Sequence, residues 1–84
     1  MQESIKYNIK AFGVVKDIVG GKQIVVESVK SLTVSELLER LRALYPTIIS
    51  LRSLLVAVNR EYAEGERSIA PTDEIALIPP VSGG

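Results

Sequence analysis

Gly83 and Gly84 stand last in the sequence, and the main-chain carboxylate of Gly84, read as the chain's end, is the group best placed to do chemistry. A carboxylate is a poor electrophile until it is activated, most simply as an acyl-adenylate. A nucleophile then displaces the adenylate and leaves an amide, a thioester or a thiocarboxylate. Two residues without Cβ atoms let another protein's backbone close around the chain and leave the terminal carbonyl unhindered. Upstream, Pro79 and Pro80 cannot donate to a sheet ladder and hold the backbone extended. Pro79-Pro80-Val81-Ser82-Gly83-Gly84 therefore reads as a stalk, stiff at its base and slender at its tip. Its six residues reach at most about 20 Å at ~3.3–3.6 Å each, long enough to enter a deep pocket on a partner. Fraying is the ordinary fate of a terminus, but it does not explain why stiffening, narrowing and direct continuity with the last strand coincide.

Few other groups compete. The sequence has no Cys and no His, which removes thiol nucleophiles, imidazole bases and nearly all zinc, copper and iron sites. No metal is expected. Glu61, Glu64, Glu66, Asp73 and Glu74 follow no metal-loop spacing and read as solvated loop charges. Gly20-Gly21-Lys22 lacks both the glycine-rich run and the following helix of a phosphate-cradling loop, so it reads as a turn. Asn59 reads as a turn residue. Ten basic and ten acidic residues cancel, so neither nucleic acid nor an anionic membrane is an expected partner. The aromatic residues, 5% of the chain, offer few platforms for stacked bases. The longest apolar run, residues 54–58, is far too short to span a bilayer. Met1-Gln2-Glu3-Ser4 does not read as the start of a secretory signal, and a cytoplasmic protein is expected.

The elements that must position the tail follow from periodicity. Eighty-four residues make one domain with one core. Ile5, Tyr7, Ile9 and Ala11 alternate with Lys6, Asn8 and Lys10, which predicts a strand over residues 5–12. A short helical turn around Lys16-Asp17 follows, then a strand over residues 23–28 with three consecutive β-branched residues. Thr33 and Glu36 form a capping box. Val34, Leu37, Leu38, Leu41, Leu44 and Tyr45 make the apolar stripe of a helix that Pro46 stops. Glu36 and Arg40 are spaced for an i,i+4 pair. Residues 47–53 suggest a short helical connection, 54–59 a buried strand, and Tyr62-Ala63 a brief edge strand. Residues 64–73 read as a surface loop and 74–78 as the last strand, central or near-central. A lone helix among several strands must lie across one face of a mixed sheet. The fold class is α+β, in the arrangement of a β-grasp. Residues 1–78 form the domain and 79–84 its tail.

These residues also carry a resemblance. The segment from Val56-Ala57-Val58-Asn59 through Pro71-Thr72-Asp73-Glu74-Ile75-Ala76-Leu77-Ile78 to the closing Pro-Pro-Val-Ser-Gly-Gly resembles the C-terminal half of the molybdopterin synthase small subunit family. Phe12-Gly13-Val14-Val15-Lys16-Asp17-Ile18-Val19-Gly20 resembles that family's first strand end and short helix. The resemblance implies a ubiquitin-like β-grasp and a sulfur carrier in molybdenum cofactor biosynthesis. An E1-like partner uses ATP to adenylate the terminal glycine, and a sulfur donor protein converts it to a thiocarboxylate. The carrier itself holds no tightly bound cofactor. It docks on the large subunit of a heterotetrameric molybdopterin synthase and gives sulfur to cyclic pyranopterin monophosphate. Carried over by residue, Gly84 bears the sulfur and Gly83 is its slender neighbour. Phe12 and Ile78 make apolar contacts to the partner, with Pro79, Pro80, Val81 and Ser82 entering its cleft. Lys16 stands where an Arg can occur and is assigned no contact. The alternatives are a related carrier for thiamine or tRNA thiolation, the prolines arguing against the thiamine type, and a ubiquitin-like protein modifier.

Overall fold

The chain's three-dimensional structure, a computed structural model, describes residues 4–50 and 54–79. Alternation sets β1 (Ile5–Ala11), which buries Tyr7, Ile9 and Ala11 and turns Lys6, Asn8 and Lys10 outward. Phe12, expected in this strand, lies just past its end. The expected helical turn is α1 (Val14–Val19), closed by Gly20 in a left-handed conformation with φ 82°. There the Gly20 N–H donates to the Lys16 carbonyl at 2.9 Å. β2 (Gln23–Ser28) then returns antiparallel to β1, in register from Ile5↔Ser28 to Lys10↔Gln23.

β3 (Leu32–Thr33) leads into α2 (Val34–Leu44). The capping box is formed: Glu36 N–H donates to Thr33 Oγ1 at 3.2 Å, and Thr33 N–H donates to Glu36 Oε1 at 3.0 Å. Val34 and Ser35 N–H groups, which have no partner within the helix, donate to the Arg67 and Gly65 carbonyls at 2.9 and 3.0 Å. Val34, Leu37 and Leu41 are buried, with Leu38 and Tyr45 at the margins of the core. Leu44 departs from the expected stripe and is exposed, because the end of α2 overhangs edge strand β2 beside Val25. The Glu36–Arg40 pair does not form either. Glu36 Oε2 holds Lys30 Nζ at 2.7 Å, while Arg40 Nη1 donates to the Glu27 carbonyl at 2.8 Å. The Lys30 ammonium, and after it the Thr33 N–H, hold the Glu36 carboxyl below the ordinary carboxylate range. A 3-10 helix, Pro46–Ser50, fulfils the expected connection; the remainder of that expectation, 51–53, lies outside the described residues.

β4 (Leu55–Val58) and β5 (Glu61–Ala63) form a hairpin. Its turn residues Asn59 and Arg60 have φ 53° and 69°, as a two-residue turn matched to strand twist requires. The expected loop over residues 64–73 contains β6 (Ser68–Ile69), which pairs antiparallel with β3 as a second small sheet. Two residues are too few to show a period, so this pairing has no local sequence signal. β7 (Ile75–Ile78) runs parallel to β1 and antiparallel to β4, giving the order β2-β1-β7-β4-β5. The last strand is central, as expected, and α2 lies across one face of a mixed sheet. This is the α+β architecture of a β-grasp.

Between sheet and helix, Tyr7, Ile9, Val15, Leu37, Leu41, Val58, Ile75 and Leu77 are wholly buried. Each such aliphatic side chain stabilises the fold by about 1.5–3 kcal/mol. Tyr7 adds a polar tie: its hydroxyl donates to the Ile69 carbonyl at 2.8 Å and accepts from Leu32 N–H at 2.9 Å. One phenol thus joins β1 to both strands of the small sheet. Tyr7→Phe keeps the ring and strands both backbone groups, so urea unfolding should show a loss of about 1–3 kcal/mol. Equal midpoints for the two proteins would remove this tie from the account.

Candidate functional site

The sheet face opposite α2 is where outward-pointing side chains gather. Cross-strand register sets one row across it, Lys10↔Ala76↔Ala57↔Tyr62. The row above continues from the same pairing, with Phe12 next to Ile78 and Ile78 opposite Leu55. Two alanines in adjacent central strands leave the middle of the face low. Larger side chains stand around them, making a shallow groove of about 430 Å³ lined by Lys10, Phe12, Ala57, Arg60, Tyr62, Glu74, Ala76 and Ile78. Phe12 is 48% exposed and Tyr62 70%. These rings stand in water although the chain has a core, and covering them would be favourable at about 25 cal/mol per Å² of apolar surface removed from water.

One end of the groove is charged. Glu74 Oε1 lies 3.2 Å from Lys10 Nζ, and its Oε2 lies 3.7 Å from Arg60 Nε. One carboxylate is thus shared between two cations at this end of the groove. All three side chains are substantially exposed, so each pair adds at most about 1 kcal/mol of stability. Their effect is to hold polar groups in fixed places around an apolar floor.

The expected site residues divide in two. Phe12 and Ile78 come together at the groove, and Pro79, half-buried, is the next residue along the chain. Pro80, Val81, Ser82, Gly83 and Gly84 lie outside the described residues. Lys16 is exposed on α1, and the structure gives its side chain no ion pair within 4.0 Å among the described residues. Sequence reasoning missed Tyr62, Ala57, Ala76, Lys10 and Arg60. The signal was available in β1 and β7, whose alternation places Lys10 and Phe12, and Ala76 and Ile78, on the face away from the core. Nothing local in the sequence shows that Ala57 and Ala76 become neighbours.

Two of the acids read as solvated loop charges are engaged. Glu74 holds Lys10 and Arg60, as described. Asp73 Oδ1 accepts from Asn59 Nδ2 at 2.9 Å and Oδ2 from Ala70 N–H at 2.8 Å, while Glu74 N–H donates to Asn59 Oδ1 at 2.9 Å. Asn59 is thus a turn residue, as expected, and also the clamp between the β4–β5 hairpin and the start of β7. Glu61, Glu64 and Glu66 are exposed.

Chiefly the Asn59 amide, then the Ala70 N–H, with a smaller contribution from the Arg67 charge, hold the Asp73 carboxyl below its ordinary value of 3.8. A depressed folded-state pKa contributes stability that is present above the unfolded value. It is lost as pH falls through the lowered one. Titration followed by NMR should place the Asp73 midpoint below 3.8 and move it upward in Asn59→Ala. Asp73→Asn should flatten the fall in stability below that pH. A midpoint unmoved by Asn59→Ala would show that the clamp does not act on the carboxyl.

The ThiS family matches this chain over residues 9–84. The chain is 39% identical to the molybdopterin synthase sulfur carrier subunit of Dictyostelium discoideum, over 96% of its own length and 99% of that relative's. Among solved structures it is similar to SAMP1, small archaeal modifier protein 1, of Haloferax volcanii. The identity is 28% and the TM-score 0.78, over 94% of this chain and 99% of that one. A complex of subunits 1 and 2 of the molybdopterin-converting factor of Helicobacter pylori contains a chain of the same fold. Its TM-score is 0.65 at 22% identity, covering 94% of this chain and 99% of the other. With the family match running from the middle of β1 through the groove strands to Gly84, this chain belongs to the ThiS family, beside relatives named as molybdopterin synthase sulfur carrier subunits.

Proposed function

We propose that this chain is the sulfur carrier of a molybdopterin synthase, with the Gly84 carboxylate as the sulfur-bearing group and the groove face as its docking surface. The observation that carries the reading is the 39% identity to a molybdopterin synthase sulfur carrier subunit over nearly all of both chains. The complex of subunits 1 and 2 in the Helicobacter pylori protein supports a large subunit as partner. Residues 79–84 serve as the tail and the preceding residues as the domain that presents it.

The chemistry is three displacements and a delivery. A Gly84 carboxylate oxygen attacks the α-phosphorus of ATP on an E1-like partner, and pyrophosphate leaves. A persulfide sulfur on a donor protein then attacks the activated carbonyl carbon and AMP leaves; a protein thiol attacks the donor-side sulfur of the resulting acyl disulfide, forms a disulfide with the donor and releases the Gly84 thiocarboxylate. On the large subunit that sulfur passes to cyclic pyranopterin monophosphate, and water returns Gly84 to a carboxylate. The carrier needs no side-chain nucleophile and no cofactor of its own for any of these steps, and ATP is spent by the activating partner. Docking draws on Phe12, Ile78 and Tyr62, aromatic and aliphatic groups of the kind that dominate interface energetics. The reading places this chemistry in the cytoplasm. No helix among the described residues is long and apolar enough to cross a membrane.

Intact-mass measurement on protein from its own cells should show one oxygen replaced by one sulfur, and deletion of Gly84 should abolish both that form and molybdopterin production. Phe12→Asp should weaken binding to the large subunit by 2 kcal/mol or more, about thirtyfold. Full product from the Gly84 deletion would refute the carrier reading.

A second reading has one observation in its favour, the 28% identity and shared fold with small archaeal modifier protein 1. A lysine amine attacking the same activated carbonyl would give an amide conjugate. A ladder of carrier-sized mass shifts that survives thiol treatment under denaturing conditions would support that activity; its absence would confine Gly84 to sulfur transfer.

A further inference from the structure

Gly13 stands where β1 has ended and the chain turns into α1. The parallel register Ile9↔Ile75, Lys10↔Ala76, Ala11↔Leu77, carried onward, sets Phe12 beside Ile78 and Gly13 beside Pro79. The approach is close. A Cβ on Gly13 would stand 2.9 Å from Pro79 Cγ and 3.8 Å from Cδ, whereas carbon atoms rest about 3.5–4.0 Å apart.

The backbone at Gly13 has φ 56° and ψ −135°, the conformation of the first central residue of a type II′ turn, where glycine is required. Val15 N–H closes that turn on the Phe12 carbonyl at 3.1 Å, and Lys16 N–H donates to the Gly13 carbonyl at 3.1 Å. Turn geometry alone explains a glycine but not the occupied space. Gly20 and Gly65 also have positive φ, and a Cβ on either would meet nothing within 4 Å. Only at Gly13, among these, does another part of the chain fill the volume a side chain would take. The turn is fixed by its hydrogen bonds, and the Pro79 ring locks its own φ near ≈ −65°, so only a change of ring pucker lets Cγ withdraw.

The geometry points to Gly13 as a positioning residue: its missing side chain is the seat of the Pro79 ring, and that seat sets the direction in which the chain leaves the central strand beside the groove. This deepens the sulfur-carrier reading and rests on it. A partner that grips the groove receives the reacting carbonyl in one place only if the chain's take-off is fixed, and misplacement by about 1 Å can cost a hundredfold in rate. Docking then draws chiefly on Phe12, Ile78 and Tyr62, while the placing of the reacting carbonyl depends on Gly13 with Pro79.

Gly13→Ala brings two effects, strain at positive φ and collision with the ring, and Pro79→Ala separates them by removing Cγ and Cδ. Wild type, Gly13→Ala, Pro79→Ala and the double variant are compared for thermal stability, Kd for the large subunit, and single-turnover thiocarboxylate formation at saturating activating enzyme. Gly13→Ala should slow the single turnover by at least about tenfold, a larger factor than any rise in Kd. The double variant should recover the rate of Pro79→Ala while keeping the stability loss of Gly13→Ala. A rate lowered equally with and without the ring, or a change in stability alone, would overturn the positioning role. NMR contacts between the Gly13 α-protons and the Pro79 ring test the seat without any sulfur chemistry: they are expected in wild type, and their absence overturns the seat. Wild-type protein that shows these contacts yet never acquires sulfur overturns the carrier reading instead.

Discussion

Everything in this fold turns on where the last strand sits. β7 lies third of five, between β1 on one side and β4 on the other, so the end of the sequence closes the sheet that its beginning opened. Ile75 and Leu77 are wholly buried there. The ladder on both sides means that β7 cannot shift by one residue without sending Ile75 and Leu77 to the open face and Ala76 and Ile78 into the core. Register at β7 is therefore strongly fixed, and with it the place where the chain departs the sheet. A residue that follows an edge strand starts from the fraying of that edge; Pro79 follows a strand paired on both sides.

The open face follows from the same placement. Since β7 brings Ala76 beside Ala57, the centre of the sheet is low, and since it brings Ile78 beside Phe12, the rim near the chain's exit is apolar. Glu74, one residue before β7, meets Lys10 and Arg60 at the other end. A zero net charge over the chain thus coexists with a locally ordered charge pattern. Short-range contact, with steering confined to about a Debye length of ≈ 8 Å at physiological salt, is what such a surface supplies.

Much of this was legible in the residues because local rules and the global fold agree. Alternation in β1, the capping box at Thr33 and Glu36, and the stop at Pro46 each specify an element without outside help, and the structure keeps all three. What escaped sequence reasoning is held by partners far apart in the chain. The β3–β6 sheet has two residue pairs and depends on the phenol of Tyr7, whose partners are Leu32 and Ile69. Glu36 and Arg40 had the spacing of a pair, but the capping N–H and Lys30 took the carboxylate and a strand carbonyl took the guanidinium. The groove escaped for a similar reason. Phe12 and Ile78 could be named by resemblance, whereas the concavity between them exists only after two alanines from different strands become neighbours.

A carrier that works by its backbone end, as proposed here, makes an unusual demand on its folded part: each partner must recognise the domain, yet the domain contributes no side chain to the reaction. The arrangement here meets that demand by separating functions in space. On the reading proposed above, apolar area on the open face would supply affinity, and it could serve an activating enzyme as well as a synthase subunit because hydrophobic burial is non-directional. Orientation, on the same proposal, comes from backbone geometry at the junction of β1, α1 and β7, which belongs to the carrier and not to its partners. A side-chain nucleophile in the domain would have tied reactivity to one local environment. A main-chain carboxylate takes whatever environment the partner provides, so one small fold can be charged in one cleft and discharged in another.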